Sequence, residues 1–361
     1  MSRARDAVAE LSLDALLVTK LDHVRYLTGF TGSAALLLLR PTGTLFVTDG
    51  RYRDQAADEL ARAGTSGSDG GVDDLAVVTS RDEEQQLVSA ASGGLVRIGL
   101  EAADVSWARQ RDLAERWFPD CELVPTEGLV EAQREVKEPG EVARIEAAAA
   151  IADAALAAAV AHLHEEPTEA EVALELEAAM RRLGAERAAF ETIVASGPNA
   201  ALPHAHPGLR RVREGDLVVL DFGAVCEGYH SDMTRTVCVG QPTADQQRLY
   251  DVVGAAHDAA RAVARAGAEA SSVDGAARAV IEEAGWGAAF SHGTGHGVGL
   301  EIHEAPYVGR TSTATIRPGS VITIEPGVYL PGLGGVRTED TLLVDAGGCR
   351  ALTRSPKNLA S

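Results

Sequence analysis

Cysteine is scarce in this chain and occurs in no metal-binding pattern. The four cysteines are far apart and form no C-x-x-C pair; they are Cys121, Cys226, Cys238 and Cys349. The sequence therefore indicates neither a disulfide framework nor a thiolate zinc site. Cys226 and Cys238 could face each other across a hairpin, but buried free thiols are the favoured interpretation.

Positive charge is also in deficit. Lys and Arg number 33 against 53 Asp and Glu, which gives a formal net charge of −20. Such a chain has no general basic surface for binding nucleic acid or an anionic membrane. The first residues lack the apolar core of a signal peptide, and no uninterrupted apolar run reaches the roughly 18 residues that a membrane span needs. We therefore expect a cytoplasmic protein with no nucleic-acid or membrane partner.

Apolar residues, in contrast, are sufficient for more than one core. With 361 residues, 45% of them hydrophobic, about two domains are expected. Residues 13–126 alternate short apolar strands with helical segments, which predicts an α/β domain. The predicted strands are residues 15–19, 34–39, 44–48, 75–79, 96–100 and 123–125, and the predicted helix is 53–63. The Gly- and Ser-rich residues 64–71 match no binding motif and predict a flexible surface loop.

The pattern changes near residue 130, where we place a domain boundary. An alanine-rich helix is predicted at 141–163, and a second helix begins at Thr168, where Glu171 completes a capping box. Two strand runs follow. The later half repeats this order, which suggests two related halves facing each other. The repeated elements are strands 192–196 and 217–220 in the first half, then helices 245–266 and 272–284 and strands 321–325 and 342–344 in the second.

Two aspartates mark a predicted β-hairpin in the middle of this second region. Apolar runs at 217–220 and 236–239 flank a turn near residues 226–228. Asp221 ends the first run and Asp232 enters the second, so the two are predicted to lie nearly opposite each other. Carboxylates this close repel unless a hard cation such as Mg, Ca or Mn lies between them. The alternative is two exposed turn aspartates.

A stretch rich in glycine and histidine follows at residues 291–306, SHGTGHGVGLEIHEAP. Its four alternating glycines argue against a helix and let the backbone pass close to something bulky or charged. His292, His296 and His303 punctuate the stretch. Imidazole suits metal ligation, proton transfer or oxyanion stabilisation at neutral pH. A single loop histidine is more often structural, but three among these glycines favour a site.

Two carboxylates complete the candidate set. Glu325 closes the apolar run VITIE, and Glu339 precedes the apolar run TLLV. An acidic residue at the end of a buried strand needs a counter-charge, although each one alone could be a strand-end charge without function. Together the candidates form an oxygen-rich set with one nitrogen, enough to hold two divalent ions with carboxylate bridges. The set is Asp221, Asp232, His296, Glu325 and Glu339.

With these residues in place, the chain resembles the Xaa-Pro peptidases of the pita-bread metallopeptidase family M24, which includes aminopeptidase P, prolidase and methionine aminopeptidase. The resemblance covers nearly the whole chain through the order and spacing of VRYLTGFTGS, TDGRY, SGPNAALPHAHP, LDFGAVCEGYHSDMTRT, SHGTGHGVGLEIHE, TIEPGVY and GGVRTED. It implies an α/β creatinase-like amino-terminal domain at 1–128. An α+β pita-bread (creatinase/aminopeptidase) catalytic domain with pseudo-twofold symmetry would follow at 129–361, in a homodimer or larger assembly.

The resemblance also implies a metal centre. Asp221 would bind one ion, and His296 and Glu325 would bind the other. Asp232 and Glu339 would bridge the pair. The expected ions are Mn²⁺, or Co²⁺ or Zn²⁺, and a hydroxide bridging them would attack the scissile carbonyl.

Substrate handling is implied for other positions. Glu325 would shuttle a proton to the leaving proline nitrogen, while His204 and His303 would stabilise the tetrahedral intermediate. The proline ring would be held by His292, Tyr329 and Arg337. The implied function is exopeptidase cleavage of the Xaa-Pro bond at the amino terminus of peptides with proline in second position.

Several alternatives stay open at this point. Methionine aminopeptidase shares the five ligands but lacks this kind of amino-terminal domain, and creatinase lacks the ligands. A non-catalytic pita-bread binding module would usually lose ligands that this chain retains. An Xaa-Pro dipeptidase is the nearest alternative; some dipeptidases have an arginine just after the His-Glu motif, where this chain has Tyr307. That departure favours longer peptides.

Overall fold

The computed structural model describes residues 1–65 and 71–360. It divides into two compact units, Met1–Arg134 and Glu135–Ser361. The loop predicted at 64–71 lies for the most part outside the described residues.

Within the described residues, the amino-terminal unit is a mixed sheet with helices. Its strands are β1 (Ala15–Val18), β2 (Ala35–Arg40), β3 (Gly43–Asp49), β4 (Asp74–Val78), β5 (Arg97–Glu101) and β6 (Glu122–Thr126). Its helices are α1 (Ser2–Glu10), α2 (Leu21–Thr28), α3 (Arg53–Arg62), α4 (Arg81–Ala91), α5 (Trp107–Asp112) and α6 (Glu131–Arg134). The sheet order is β4-β3-β2-β1-β5-β6, so the predicted α/β class and its six strands are confirmed.

Strand β2 shows why both faces of this sheet are covered. Its sequence ALLLLR is apolar on both sides, and successive side chains of a strand point to opposite faces. Leu37 and Leu39 belong to one buried cluster, while Leu36 and Leu38 belong to another. A strand that is apolar on both faces needs helices above and below it, as in α/β domains.

In the second unit, residues 135–360 form four long helices around several antiparallel sheets. Its helices are α7 (Pro139–Val160), α8 (Glu169–Arg182), α9 (Ala244–Val263) and α10 (Ala270–Glu283). Its strands are β7 (Arg187–Ala188), β8 (Ile193–Ser196), β9 (Leu217–Phe222), β10 (Ala224–Cys226), β11 (Tyr229–His230), β12 (Met233–Cys238), β13 (Gly295–Gly297), β14 (Glu304–Val308), β15 (Val321–Ile324), β16 (Gly327–Leu330), β17 (Gly334–Arg337), β18 (Asp340–Val344) and β19 (Cys349–Ala351). The sheets are β12-β9-β8, β11-β10-β7, β14-β13-β15-β18-β19 and β16-β17.

The two halves of this unit repeat one arrangement, a helix pair over antiparallel strands. Helices α7 and α8 share a buried cluster with Val218 and Leu220 of β9. Helices α9 and α10 share another with Ile322 and Ile324 of β15. Side chains of the other parity therefore point away from the helices of their own half, and Asp221 on β9 and Glu325 just after β15 have that parity. The pseudo-twofold pita-bread prediction is confirmed, and the repeat brings both carboxylates to inner faces.

The central hairpin forms, but its register differs from the prediction. Strands β10 and β11 are joined by a two-residue turn in which Glu227 and Gly228 both have positive φ, 46° and 76°. Positive φ at both central residues is typical of the turns in two-residue β-hairpins, because the twist of such a turn matches that of the flanking strands. Asp221 pairs with Thr234, not with Asp232. Since residues two apart share a face, Asp221 and Asp232 are diagonal neighbours on one face, one step from directly opposite; the sequence predicted that they lie nearly opposite.

The sequence correctly predicted two local features, the absence of disulfides and the capping box at the start of α8. None of the four cysteines forms a disulfide; Cys238 is buried and the others are partly exposed, so the predicted burial is wrong for Cys226. Cys226 pairs with Tyr229 and therefore does not face Cys238. The capping box at the start of α8 is present, since the backbone N–H of Thr168 donates to the carboxylate of Glu171 at 2.7 Å.

One helical stretch, Pro139–Glu165, has the length and composition of a membrane span. It has 27 residues with a mean hydropathy of 1.5 over its most apolar window, of which 39% is buried. The uninterrupted apolar run sought in the sequence is missing because charged residues such as Asp153 interrupt the alanines. A single helix of this kind is weak evidence for a membrane span, since core helices pass the same test. Here Ala148, Ala152 and Ala155 pack in the cluster beneath α7 and α8.

Candidate metal centre

The five predicted ligands line one cavity of the second unit, with a volume of about 360 Å³. Different elements supply them: β9, the segment before β12, β13, the end of β15 and the link between β17 and β18. The cavity wall also includes four of the residues expected to handle substrate, namely His204, His292, His303 and Arg337. The remaining one, Tyr329, lies behind the wall, where its hydroxyl contacts His292.

Three of the five ligands form a tight, buried cluster. One donor atom from each of Asp232, His296 and Glu339 lies within 4.8 Å of the other two. Nε2 of His296 is 3.5 Å from Oδ2 of Asp232 and 3.5 Å from Oε1 of Glu325. Three carboxylates and an imidazole thus converge on one small volume, a donor set that suits divalent cations.

Two carboxylate oxygens in this cavity have no partner among the described residues. They are Oδ1 of Asp221 and Oε1 of Glu339, both buried. An ionised carboxylate oxygen can only accept, and leaving a buried polar atom unsatisfied costs about 1–3 kcal/mol or more. Cations at this place would satisfy both atoms, so the residues present fit the divalent ions that the resemblance implies.

The carboxylates raise one another's pKa values. Burial, followed by the charge of Glu339, holds the pKa of Asp232 well above its usual range. Burial, followed by the charge of Glu325, does the same for the pKa of Glu339. Burial raises the pKa of Glu325 to about 7, although Arg337 opposes the shift. The metal-free protein therefore holds charge in this cluster only at a free-energy cost, which bound cations would remove.

His296 is prepared to act as a neutral ligand. Burial lowers the pKa of its imidazole to about 4, so the ring is uncharged near neutral pH. Nδ1 lies 3.0 Å from the carbonyl oxygen of Gly297, which as an acceptor requires the proton on Nδ1. The lone pair of Nε2 consequently points at the carboxylates.

Arg337 forms a contact with Asp221 that the sequence did not reveal. Its Nη2 donates to Oδ2 of Asp221 at 2.5 Å, and its Nη1 donates to the hydroxyl of Tyr329 at 2.6 Å. Nε donates to Oγ1 of Thr234 at 3.1 Å. The guanidinium therefore neutralises the carboxylate of Asp221, a predicted ligand, and links it to Tyr329 and Thr234, while Oδ1 of Asp221 has no partner among the described residues.

The remaining histidines lie around the cavity. His292 is half-buried, and its Nε2 is 2.9 Å from the hydroxyl of Tyr329. His303 is exposed, and its ring packs edge-on against His296 with centroids 4.4 Å apart. His204 is exposed on a loop after β8. All three predicted histidines thus reach the same cavity as the carboxylates.

Two threonines that hydrogen-bond to the predicted ligands were not predicted from the sequence. The hydroxyl of Thr234 donates to Oε2 of Glu339 at 2.8 Å, and the backbone N–H of His296 donates to Oγ1 of Thr323 at 3.1 Å. Strand alternation could have identified both. Thr234 lies two residues after Asp232, and Thr323 lies two residues before Glu325, so each shares a face with a ligand.

The glycines of the histidine stretch have a structural reason. A Cβ on Gly295 would lie 2.0 Å from the carbonyl oxygen of Thr323, and one on Gly297 would lie 2.2 Å from that of Ala305. The sequence predicted close approach to something bulky or charged; the close neighbours are the backbones of residues 323 and 305. This close approach allows β13, which carries His296, to pair with both β14 and β15.

Comparisons with known proteins agree with this site. Residues 143–346 match the model of metallopeptidase family M24, and residues 1–136 match the creatinase/prolidase N-terminal domain. Relatives include an uncharacterized peptidase YqhT of Bacillus subtilis, 37% identical with 99% of both chains covered, and an Xaa-Pro dipeptidase of Pyrococcus horikoshii, 35% identical with 96% and 95% covered.

Solved structures give the same result. An Xaa-Pro dipeptidase from Bacillus anthracis is 36% identical with a TM-score of 0.93, covering 99% of this chain and 98% of its own. An X-Pro aminopeptidase from Thermotoga maritima is 32% identical with a TM-score of 0.89, covering 99% and 100%. The converging carboxylates and histidine, the repeated halves and these matches together place the chain in metallopeptidase family M24, with a creatinase/prolidase domain at its amino terminus.

Proposed function

We propose that this metallopeptidase is a dinuclear-metal exopeptidase that hydrolyses the Xaa-Pro bond at the amino terminus of peptides. The observation that carries the proposal is the convergence of five donors on one cavity that contains two unsatisfied carboxylate oxygens. Asp221 would hold one ion, His296 and Glu325 the other, and Asp232 and Glu339 would lie between them. The oxygen-rich donor set favours Mn²⁺, with Co²⁺ and Zn²⁺ as alternatives. When bound, such ions lower the pKa of water and polarise a carbonyl.

Side chains of the cavity would carry out the other catalytic steps. Glu325, on the cavity wall 3.5 Å from Nε2 of His296, would take a proton from the attacking water and release it to the leaving proline nitrogen. His303 and His204 would donate hydrogen bonds to the tetrahedral oxyanion. Asp221 would attract the free amino group of the substrate, which explains exopeptidase action.

The proline ring would be held by His292, Tyr329 and Arg337, where Tyr329 acts from behind the wall through a hydroxyl that contacts the other two. The same cavity has an apolar part that suits the ring, lined by Phe190, Ile193, Ile302 and Val308. A pocket with an apolar wall and a few fixed polar groups is the usual form of a specific small-ligand site. The homodimer and the cytoplasmic location belong to the same proposal, and light scattering of the purified protein and cell fractionation test them.

Peptide length separates the two candidate activities. Apart from histidines, Arg337 is the single cationic side chain among the described residues of the wall, and it already binds Asp221 and Tyr329. The carboxylate of a dipeptide would thus find no free cation there, which supports longer substrates. The names of the relatives, several of them Xaa-Pro dipeptidases, favour the second candidate.

A substrate panel tests the proposal. Purified protein with added manganese should cleave Xaa-Pro-Yaa peptides with a higher kcat/KM than Xaa-Pro dipeptides, and Xaa-Ala-Yaa peptides poorly. Faster cleavage of dipeptides would establish the dipeptidase, and the absence of turnover with each metal tested would favour a binding module.

Tyr307 offers a test of length selection, since it lines the cavity and is 60% exposed. Tyr307→Arg should place a cation near the carboxylate of a dipeptide. We expect the dipeptide-to-tripeptide ratio of kcat/KM to rise about three- to fivefold, the scale of a partly exposed ion pair. Tyr307→Phe, which adds no charge, should leave the ratio unchanged. An equal rise in both variants would attribute the effect to lost hydroxyl contacts.

The two oxyanion donors should affect turnover and leave metal content unchanged. His303→Ala and His204→Ala should each lower kcat by about 10²–10³-fold, the usual effect of losing one transition-state donor. Metal stoichiometry, measured by atomic emission, should equal that of the wild type. His206→Ala is the matched control, because His206 is exposed on the same loop and pairs with Glu191 at 3.0 Å. Metal loss like that of His296→Ala would make His303 or His204 a ligand.

A further inference from the structure

A buried ion pair on α10 lies behind the cavity. Asp274 and Arg278 are one helical turn apart, and their side chains are 1% and 11% exposed. Nε of Arg278 donates to Oδ2 of Asp274 at 2.6 Å, and Nη2 donates to Oδ1 at 2.9 Å. Neither residue lines the cavity. Burying such a pair loses hydration that the mutual attraction regains only with good geometry and further hydrogen bonds.

Among the described residues, the further side-chain hydrogen bonds of this pair all go to the segment that leads from α10 into β13. Arg278 donates from Nη1 to the carbonyl oxygen of Phe290 at 3.0 Å and from Nη2 to that of His292 at 2.5 Å. Thr294 donates from its hydroxyl to Oδ1 of Asp274 at 2.9 Å. The guanidinium also lies over the ring of Phe290, 4.1 Å from its centroid. One ion pair thus holds three alternate residues of one segment.

This segment carries two groups of the site. The ring of His292 packs edge-on against Phe290, with centroids 5.1 Å apart, and reaches the hydroxyl of Tyr329 with Nε2. The carbonyl oxygen of Thr294 accepts the backbone N–H of Glu325 at 2.7 Å. A displacement of the segment would therefore move His292 at the cavity wall.

We propose that Asp274 and Arg278 are positioning residues that fix His292 against Tyr329 and thereby set the affinity and selectivity for proline in second position. The inference rests on the proposed function, because it assigns His292 to the proline pocket. The apolar packing of the helix comes from other residues of its buried face, namely Val273, Ala277 and Ile281, although Asp274 is buried beside them. What the pair does specifically is fix the backbone of residues 290–294.

Arg278→Lys is the first variant. Lysine keeps the charge but lacks the planar fork that reaches Asp274 and two carbonyl oxygens at once. We expect kcat/KM for Xaa-Pro-Yaa to fall about ten- to hundredfold, the effect of a small misplacement at a site, mainly through KM. The preference over Xaa-Ala-Yaa should shrink by a similar factor. Metal stoichiometry should stay at the wild-type value, because neither residue contacts a proposed ligand side chain and Glu325 directly follows β15, which is held by its pairing with β18.

The titration of His292 gives a readout that does not depend on activity. In the intact site burial, followed by the charge of Arg337, lowers the pKa of His292 to about 4. In zinc-loaded Arg278→Lys, nuclear magnetic resonance should show this pKa moving toward the ordinary value of about 6.5, since a loosened segment lets water reach the ring. If the wild type cleaves no Xaa-Pro bond, the proposed function fails, and the titration still tests the positioning.

Two further variants complete the experiment. Thr294→Val removes one hydrogen bond with little change in shape and should shift KM in the same direction, which keeps the test available if Arg278→Lys does not fold. Glu282→Gln, on the same helix, removes only an exposed contact with Arg310 at 3.4 Å and should match the wild type. Unchanged KM and unchanged His292 titration in a folded Arg278→Lys protein would overturn the proposal. So would a loss of activity that merely follows metal content or the folded fraction.

Discussion

Chelation of the purified protein should abolish peptidase activity, and added manganese or cobalt should restore it. In the metal-free protein Asp232, Glu325 and Glu339 crowd around His296, and the cations that would lower the pKa of water and polarise the carbonyl are missing. The loss of kcat should reach about 10³-fold or more, as when an essential catalytic group is removed. Full activity after exhaustive chelation, with metal content verified by atomic emission, would contradict the dinuclear proposal.

Variants of the two proposed bridges give the sharper form of this test. Asp232→Asn and Glu339→Gln keep size and shape but remove a charge that would lie between two cations, so both should lower metal stoichiometry together with kcat. Glu141→Gln is the matched control. Glu141 is also buried in this unit, where it accepts a hydrogen bond from Tyr229 at 3.0 Å, but it lies outside the cavity. Two ions per chain in both bridge variants would show that the bridging assignment is wrong.

The hairpin illustrates how far local pattern predicts geometry. Strand propensity and the glycine located the two strands and the turn, but the pairing partner depends on where the turn is centred. A turn at Glu227 and Gly228 pairs Asp221 with Thr234. A centre one residue earlier would move the partner by two residues. Register of this kind depends on the exact turn conformation, which a cluster of turn-forming residues does not determine.

The candidate site was predictable where each residue ends a strand or interrupts an apolar run, as Asp221 and Glu325 do. The contact of Arg337 with Asp221 was not, because it joins positions more than a hundred residues apart across two sheets. The same holds for Asp274 and Arg278, whose role depends on a loop that packs on their helix only in three dimensions. Periodicity predicts which face a residue occupies, whereas the neighbour on that face depends on the tertiary fold.

Removal of one proposed ligand carboxylate should stabilise the metal-free protein. Burial raises the pKa of Glu325 from 4.5 to about 7. For an acid whose pKa is higher in the folded state, the folded protein binds more protons between the two values, so its stability decreases as pH rises through that window. Above about pH 7 the full cost is present, roughly 3 kcal/mol for a shift of this size at 1.36 kcal/mol per pKa unit. Metal-free Glu325→Gln lacks this cost.

The order of the melting temperatures of the wild type and Glu325→Gln should therefore depend on whether metal is bound. Without metal at pH 8, Glu325→Gln should melt roughly 5–10 °C above the wild type, and the difference should shrink toward pH 5. With saturating metal the order should reverse, because the wild type gains about 2.7 kcal/mol at 100 times the dissociation constant and the variant has lost a ligand. The buried His296, whose pKa is lowered to about 4, contributes stability that is lost as pH falls below about 6.5. That contribution is present in both proteins and largely cancels in the difference.

Thermal melts of both proteins between pH 5 and 8, with chelator or with manganese, measure this crossing. Glu141→Gln serves again as control: burial raises the pKa of Glu141 as well, so its removal can change stability, but by the same amount with and without metal. If metal-free Glu325→Gln melted below the metal-free wild type at pH 8, the charge of Glu325 would already be compensated in the folded protein, with Arg337 as the nearest candidate among the described residues. The open oxygens of Asp221 and Glu339 would then no longer support a site built to attract cations.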